Sequence, residues 1–136
     1  MPHANHSARS ATIAVTLASC ALVAPALAGN ESRARINVLD ADRFEVVADY
    51  SDNAVYWCGA SSHAIRTLRK PTGQPIYVVR GPSPSVAQPG NIAVTFAFSP
   101  PDGGAAPSLT NDVDLVGNTM TVGSARQTCF DRLVND

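Results

Sequence analysis

At 136 residues, with ten Lys and Arg against eleven Asp and Glu, the chain carries a formal net charge of −1. That balance argues against a protein that holds nucleic acid through a basic surface, because phosphate neutralisation needs an excess of clustered cations. The length is that of one domain.

The N-terminus reads as an export signal. Met1 to Ser10 hold one fixed positive charge, Arg9, and no acid, and Ala11 to Ala24 follow as an uncharged, mostly apolar run. Pro25 breaks any continuing helix, and Ala26-Leu27-Ala28 offers small residues where a signal peptidase reads them, so cleavage between Ala28 and Gly29 is expected. A spanning helix needs about 20 predominantly apolar residues, and this run is shorter, so a membrane anchor fits poorly. An alternative is lipidation. Leu17-Ala18-Ser19-Cys20 is similar to a lipobox, and processing there would leave the protein anchored to a membrane through Cys20 without spanning it. The segments expected are a signal peptide over 1–28, a flexible leader over 29–42 and a single domain over 43–136.

Removing the signal leaves 108 of the 136 residues and takes away only Arg9 among the charges, for a mature net charge of about −2. It also removes Cys20, so Cys58 and Cys129 remain in an oxidising compartment and allow one pairing. Closing a loop of that size stabilises a fold by about 4 kcal/mol in the chain-entropy account.

Along the mature chain, Gly29 to Asn37 is polar and charged, and Asn30-Glu31-Ser32 fits a glycosylation sequon of the kind that arises by chance. Arg43 to Ala48, with Phe44, Val46 and Val47, is a first strand. Ser51, Asp52 and Asn53 cluster as helix-capping residues. From Ala54 the period changes: Ala54, Trp57, Cys58, Ser61, Ala64, Ile65 and Leu68 fall within about 120° at 100° per residue, one amphipathic helix ending at Arg69 or Lys70 before Pro71 and Gly73. Arg66, Arg69 and Lys70 then sit in its last turn, where cations offset the helix dipole.

Pro75 to Arg80 is a buried strand. Gly81 to Ser85 and Gln88 to Gly90 make a turn-rich connection, and Ile92, Val94, Phe96 and Phe98 alternate with small residues as the clearest strand in the chain. Ser99 to Asn111 is a long Pro/Gly/Ser loop, of a length that is often functional. Val113–Val116 and Thr119–Val122 flank Gly117-Asn118 at hairpin spacing. Ser124-Ala125-Arg126-Gln127 resembles a capping box opening a short helix through Val134, with a strand continued through Cys129 as the alternative. The expected architecture is α+β: one amphipathic helix packed on a mostly antiparallel sheet of four to five strands, closed by one disulfide.

The residues offer little chemistry. Tyr56-Trp57-Cys58-Gly59 invites comparison with cysteine hydrolases, whose nucleophile opens a helix beside a histidine. Cys58 falls instead in the second turn, and His63, the sole mature histidine, lies about 140° around the helix, on a polar face with Tyr56 and Thr67. A solvent-exposed His63 is expected, and Trp57 is expected in the core. Asp112-Val113-Asp114 followed by Gly117 faintly resembles a calcium loop but has Gly123 where its last acid belongs, so an edge strand is expected. Asp40 with Asp42, and Asp49 with Asp52, carry no acid–base signature. With His3 and His6 removed there is no metal-ligating cluster, and no phosphate loop, dinucleotide fingerprint or Gly-x-Ser-x-Gly occurs, so no cofactor is expected.

Phe44-Glu45-Val46-Val47, Tyr56-Trp57-Cys58-Gly59-Ala60, Ile76-Tyr77-Val78 with Arg80-Gly81-Pro82-Ser83, and a cysteine near the C-terminus together resemble small exported bacterial proteins of unknown function. The resemblance implies the architecture and the compartment and carries no activity. Two function classes follow: a non-enzymatic periplasmic or secreted binding module, an inhibitor or envelope accessory protein whose surface lies on the Pro/Gly loops and whose partner is an envelope or extracellular protein, and a small hydrolase using Cys58.

Overall fold

The computed structural model describes Met1 and residues 33–48 and 52–131. The expected signal segment, its Ala28–Gly29 junction and Cys20 lie outside the described residues. The elements are β1 (Ala34–Val38), β2 (Arg43–Ala48), α1 (Asn53–Ser62), a π-helical turn (His63–Thr67), β3 (Pro75–Pro84), β4 (Ile92–Ala97), β5 (Thr119–Thr121) and α2 (Val122–Gln127). The five strands form one sheet in the order β1-β2-β4-β3-β5, every neighbouring pair antiparallel. This is the expected α+β fold.

Residues directly opposite in an antiparallel ladder share a face. Phe44 pairs with Phe96 and Phe96 with Val78, and Val46 pairs with Val94 and Ile36. This face carries the core, where Phe44, Val46, Val78, Val94 and Phe96 are all buried beneath α1. The opposite face carries Glu45, Thr95 and Arg80 in one row, and Arg43, Ala97 and Tyr77 in another.

Several expectations need correction. Ala34–Val38, assigned to the flexible leader, is the edge strand β1, paired along its length with β2. Its Ile36 packs against the core, so a segment that reads as polar is ordered by the neighbour it meets. The helix is not amphipathic: every residue from Ala54 to Ser61 is buried. The sheet covers one side and the C-terminal segment another, where the Thr128 hydroxyl donates to the Ala54 carbonyl at 3.0 Å. Tyr56 and His63, expected on a wet face, are only 2% and 7% exposed. Burial raises the Tyr56 phenol above its ordinary range.

The start of α1 follows its sequence. Asp52 is the N-cap, its side chain accepting from Ala54 N–H at 2.9 Å. The end departs from it, because regular helix stops at Ser62 and a π turn runs to Thr67. Arg69 then takes a left-handed φ of 55°, and Lys70 N–H closes onto the Ala64 carbonyl at 2.9 Å. Arg69 and Lys70 therefore lie past the last turn, with Lys70 Nζ 4.8 Å from the Phe98 ring centre. Gly59 is required by close approach: a Cβ there would lie 2.7 Å from Val46 Cγ1 and 2.8 Å from Ala34 Cβ.

β3 runs past Arg80 to Pro84, with register shifts on either side of Arg80. Pro82 and Pro84 are tolerated because β5 covers only Pro75 to Tyr77, so no strand on that side asks for their missing N–H groups. Val113–Val116 is not a strand, and the Asp112–Asp114 edge strand is absent with it; β5 pairs with β3. The C-terminal helix forms, but it runs only from Val122 to Gln127, and Cys129 lies in the turn that follows, neither in the helix nor in a continued strand. Thr121 caps the helix, its side chain accepting from Ser124 N–H at 3.1 Å.

Candidate functional site

Cys58 and Cys129 form the expected disulfide, with Cα atoms 4.8 Å apart. Both are buried, at 0% and 3% exposure, and the bond ties the second turn of α1 to the turn after α2. A thiolate nucleophile at Cys58 would require that bond to be open. His63 packs its ring 4.8 Å from that of Phe44. Burial lowers its pKa from the ordinary value, favouring the neutral imidazole. It lines a groove of about 210 Å³ between the helix and β1, with Ala34, Ile36, Gly59 and Arg66. Trp57 is in the core as expected, its ring 5.0 Å from Phe96.

A second concavity, of about 460 Å³, lies on the outer face of the sheet. Its floor is made by small residues of β4, Thr95 and Ala97, and its rim by Arg43, Arg80, Asp42 and Asp102. The rim charges are partly spent within the fold. Arg43 Nε donates to Asp40 Oδ2 at 2.7 Å, and Phe98 N–H donates to Asp42 Oδ1 at 3.2 Å. Hydrogen bonds from Asp42 and Arg43 N–H and from the Arg43 side chain lower the Asp40 carboxyl to about 2. Near this cleft Glu45 is 1% exposed and accepts from the Ser85 hydroxyl at 2.7 Å and from Val86 N–H at 2.8 Å. Burial alone would raise its pKa. The donors from Val86, Ser85 and Ala87, with the nearby charge of Arg80, overcome this and leave it lowered. Glu45 is thus a structural acceptor that holds the β3–β4 connection onto the sheet.

The loop between β4 and β5 is exposed yet held by several hydrogen bonds. Its organiser is Asn118, which is fully buried. The Asn118 Nδ2 donates to the carbonyls of Thr110 (3.2 Å) and Asp112 (2.7 Å), and its Oδ1 accepts from Ser108 N–H and Thr119 N–H, both at 3.0 Å. The donors and acceptors of the amide are therefore all used. Gly117 beside it has φ 88°, and a Cβ there would lie 2.8 Å from the Gly104 carbonyl oxygen, so only glycine fits. Trp57 Nε1 donates to the Asn111 carbonyl at 2.9 Å and ties the loop to the core. Val113 is tucked inside at 1% exposure. No hairpin forms because Asp114 N–H donates to Asp112 Oδ1 at 2.8 Å and the Leu115 carbonyl accepts from Asn118 N–H at 3.0 Å, which holds backbone groups that a 113–116 strand would pair in an irregular path.

At the tip, Leu109 projects into solvent at 107% of its reference exposure, and Leu115 and Val116 are exposed at 39% and 47%. The residues on either side of Leu109 are bridged, with Ser108 Oγ 2.8 Å from Thr110 Oγ1 and accepting from Thr110 N–H at 3.0 Å. The loop thus combines a locked backbone with an apolar side chain that packs on nothing in its own fold.

Sequence reasoning placed the cysteines and Trp57 correctly and missed Glu45 and Asn118. Glu45 had a signal in the alternation of Phe44, Glu45 and Val46, which points it away from the core. Asn118 was visible only as a turn residue.

Among the described residues no group of three or more His, Cys, Asp or Glu is placed to hold a metal ion, and no helix is long and apolar enough to cross a membrane. No family model, curated protein or solved structure matches the chain.

Proposed function

We propose that this is a non-enzymatic binding module working outside the cytoplasm, with the Ser99–Asn118 loop as its recognition surface. The carrying observation is the pairing of a fully exposed Leu109 with a flanking backbone held by buried Asn118. A recognition loop that is ordered before it binds avoids the entropy cost of being ordered by its partner. The disulfide supports the compartment, since such bonds persist where thiols are oxidised. The hydrolase alternative needs the sulfur that the disulfide occupies.

The test uses protein exported to the periplasm of an expressing host. The expected product begins at Gly29 and has no free thiol. Immobilised wild type and Leu109→Asp are exposed to envelope extract. A partner held by the wild type and lost by the variant supports the assignment. Equal recovery by both, or recovery of nothing above background, overturns it.

A further inference from the structure

We infer that the loop is a substrate-like inhibitory loop, offering Leu109 to the apolar primary pocket of a serine endopeptidase and the Leu109–Thr110 bond to its nucleophile. This rests on the loop being the recognition surface and names the partner class.

An endopeptidase binds an extended segment with one side chain inserted in a pocket that sets specificity. A flexible loop bound this way is cut and its halves diffuse apart. Here the tethers lie on both sides of the presented bond: Asn118 accepts from Ser108 N–H on one side and donates to the Thr110 and Asp112 carbonyls on the other. The Ser108 and Thr110 side chains also meet across it, at 2.8 Å. In hydrolysis the C–N bond between Leu109 and Thr110 breaks, and water gives a hydroxyl to the Leu109 carbonyl carbon and a proton to the Thr110 amine. Both new ends remain held by the buried amide, so the amine stays beside the acyl group and rejoining competes with release. Cys58 and Cys129 lie on opposite sides of that bond, and their disulfide keeps the two pieces in one molecule.

The side chain sets the pocket. Leucine suits an uncharged apolar slot. Residues 99–118 hold three aspartates, Asp102, Asp112 and Asp114, and no Lys or Arg, so a pocket with a buried carboxylate is a poor match and an anionic lipid surface is repelled. Leu109 contributes nothing to the core, so its replacement reports on binding without disturbing the fold.

The exported protein is titrated against chymotrypsin, subtilisin and trypsin with chromogenic peptide substrates. Competitive inhibition of chymotrypsin and subtilisin is expected, weakened about 100-fold by Leu109→Asp, in the range of a central interface residue. Leu109→Lys is expected to transfer inhibition to trypsin, with a gain of about tenfold or more. Asn118→Ala, if it folds, should be cut between Leu109 and Thr110 about tenfold faster than wild type, the product gaining the mass of one water and separating into two chains only after reduction. Three results overturn the inference: no inhibition of any of the three enzymes, wild-type cleavage as fast as that of an unstructured peptide, or a Leu109→Lys protein without gain toward trypsin. If inhibition fails while Leu109→Asp still loses its envelope partner, the recognition surface stands and the endopeptidase falls.

Discussion

Reducing the Cys58–Cys129 bond should cost this fold a large part of its stability. The bond closes a loop of 71 positions, and the chain-entropy relation gives about 4 kcal/mol for that closure at 25 °C. Small domains have net stabilities of about 5–15 kcal/mol, so the reduced form should sit near the edge of folding. At about 0.2 kcal/mol per kelvin of unfolding entropy for a domain of about 100 residues, the loss corresponds to a drop in Tm of about 20 °C. Cysteine-to-alanine variants would add cavity terms, because both side chains are buried. The cleaner comparison is the wild-type protein oxidised and reduced, with reduction carried out in denaturant and refolding under a thiol-free reductant. Urea unfolding of both forms reads the difference directly. A reduced form within about 1 kcal/mol of the oxidised one would refute the reasoning and would mean that burial of α1 and α2 alone holds the C-terminal segment in place.

Other positions give separate tests. Gly59→Ala puts a methyl group into Val46 and Ala34 and should cost about 1–3 kcal/mol in urea unfolding, with Gly59→Val worse; a neutral Gly59→Ala would show that α1 can lift from the sheet freely. Glu45→Gln keeps the shape but turns an amide N–H₂ toward donors that need an acceptor, and should cost about 2–3 kcal/mol and loosen the Ser85–Asn91 turn in amide exchange. Glu45 also has a lowered folded pKa, so its contribution is present above pH 4.5 and lost as pH falls below that value. His63 acts in a higher window with the same sign. The unfolded chain takes up a proton as pH falls through 6.5 while the buried ring resists it, so stability should decline below pH 6.5 and His63→Phe should flatten that decline. An unchanged slope in His63→Phe would place the titration elsewhere.

What the sequence determined by itself was whatever depends on neighbours along the chain. Asp52 caps its helix because its side chain reaches an N–H two residues away, and Ile92 to Ala97 form a strand because alternation alone separates large residues from small. The cysteine pairing followed from the count left after Cys20 is set aside. Tertiary structure decided the features that depend on what arrives from far away. β1 is a strand because β2 supplies its ladder, Tyr56 and His63 are dry because several elements close around one helix, and Glu45 is buried because a loop 40 residues later brings its donors. Asn118 shows the divide most clearly. Its place beside Gly117 marks a turn, but a side-chain amide can accept hydrogen bonds from a turn or donate them to a distant loop at equal local cost, and only the folded chain shows that it holds the backbone on both sides of Leu109.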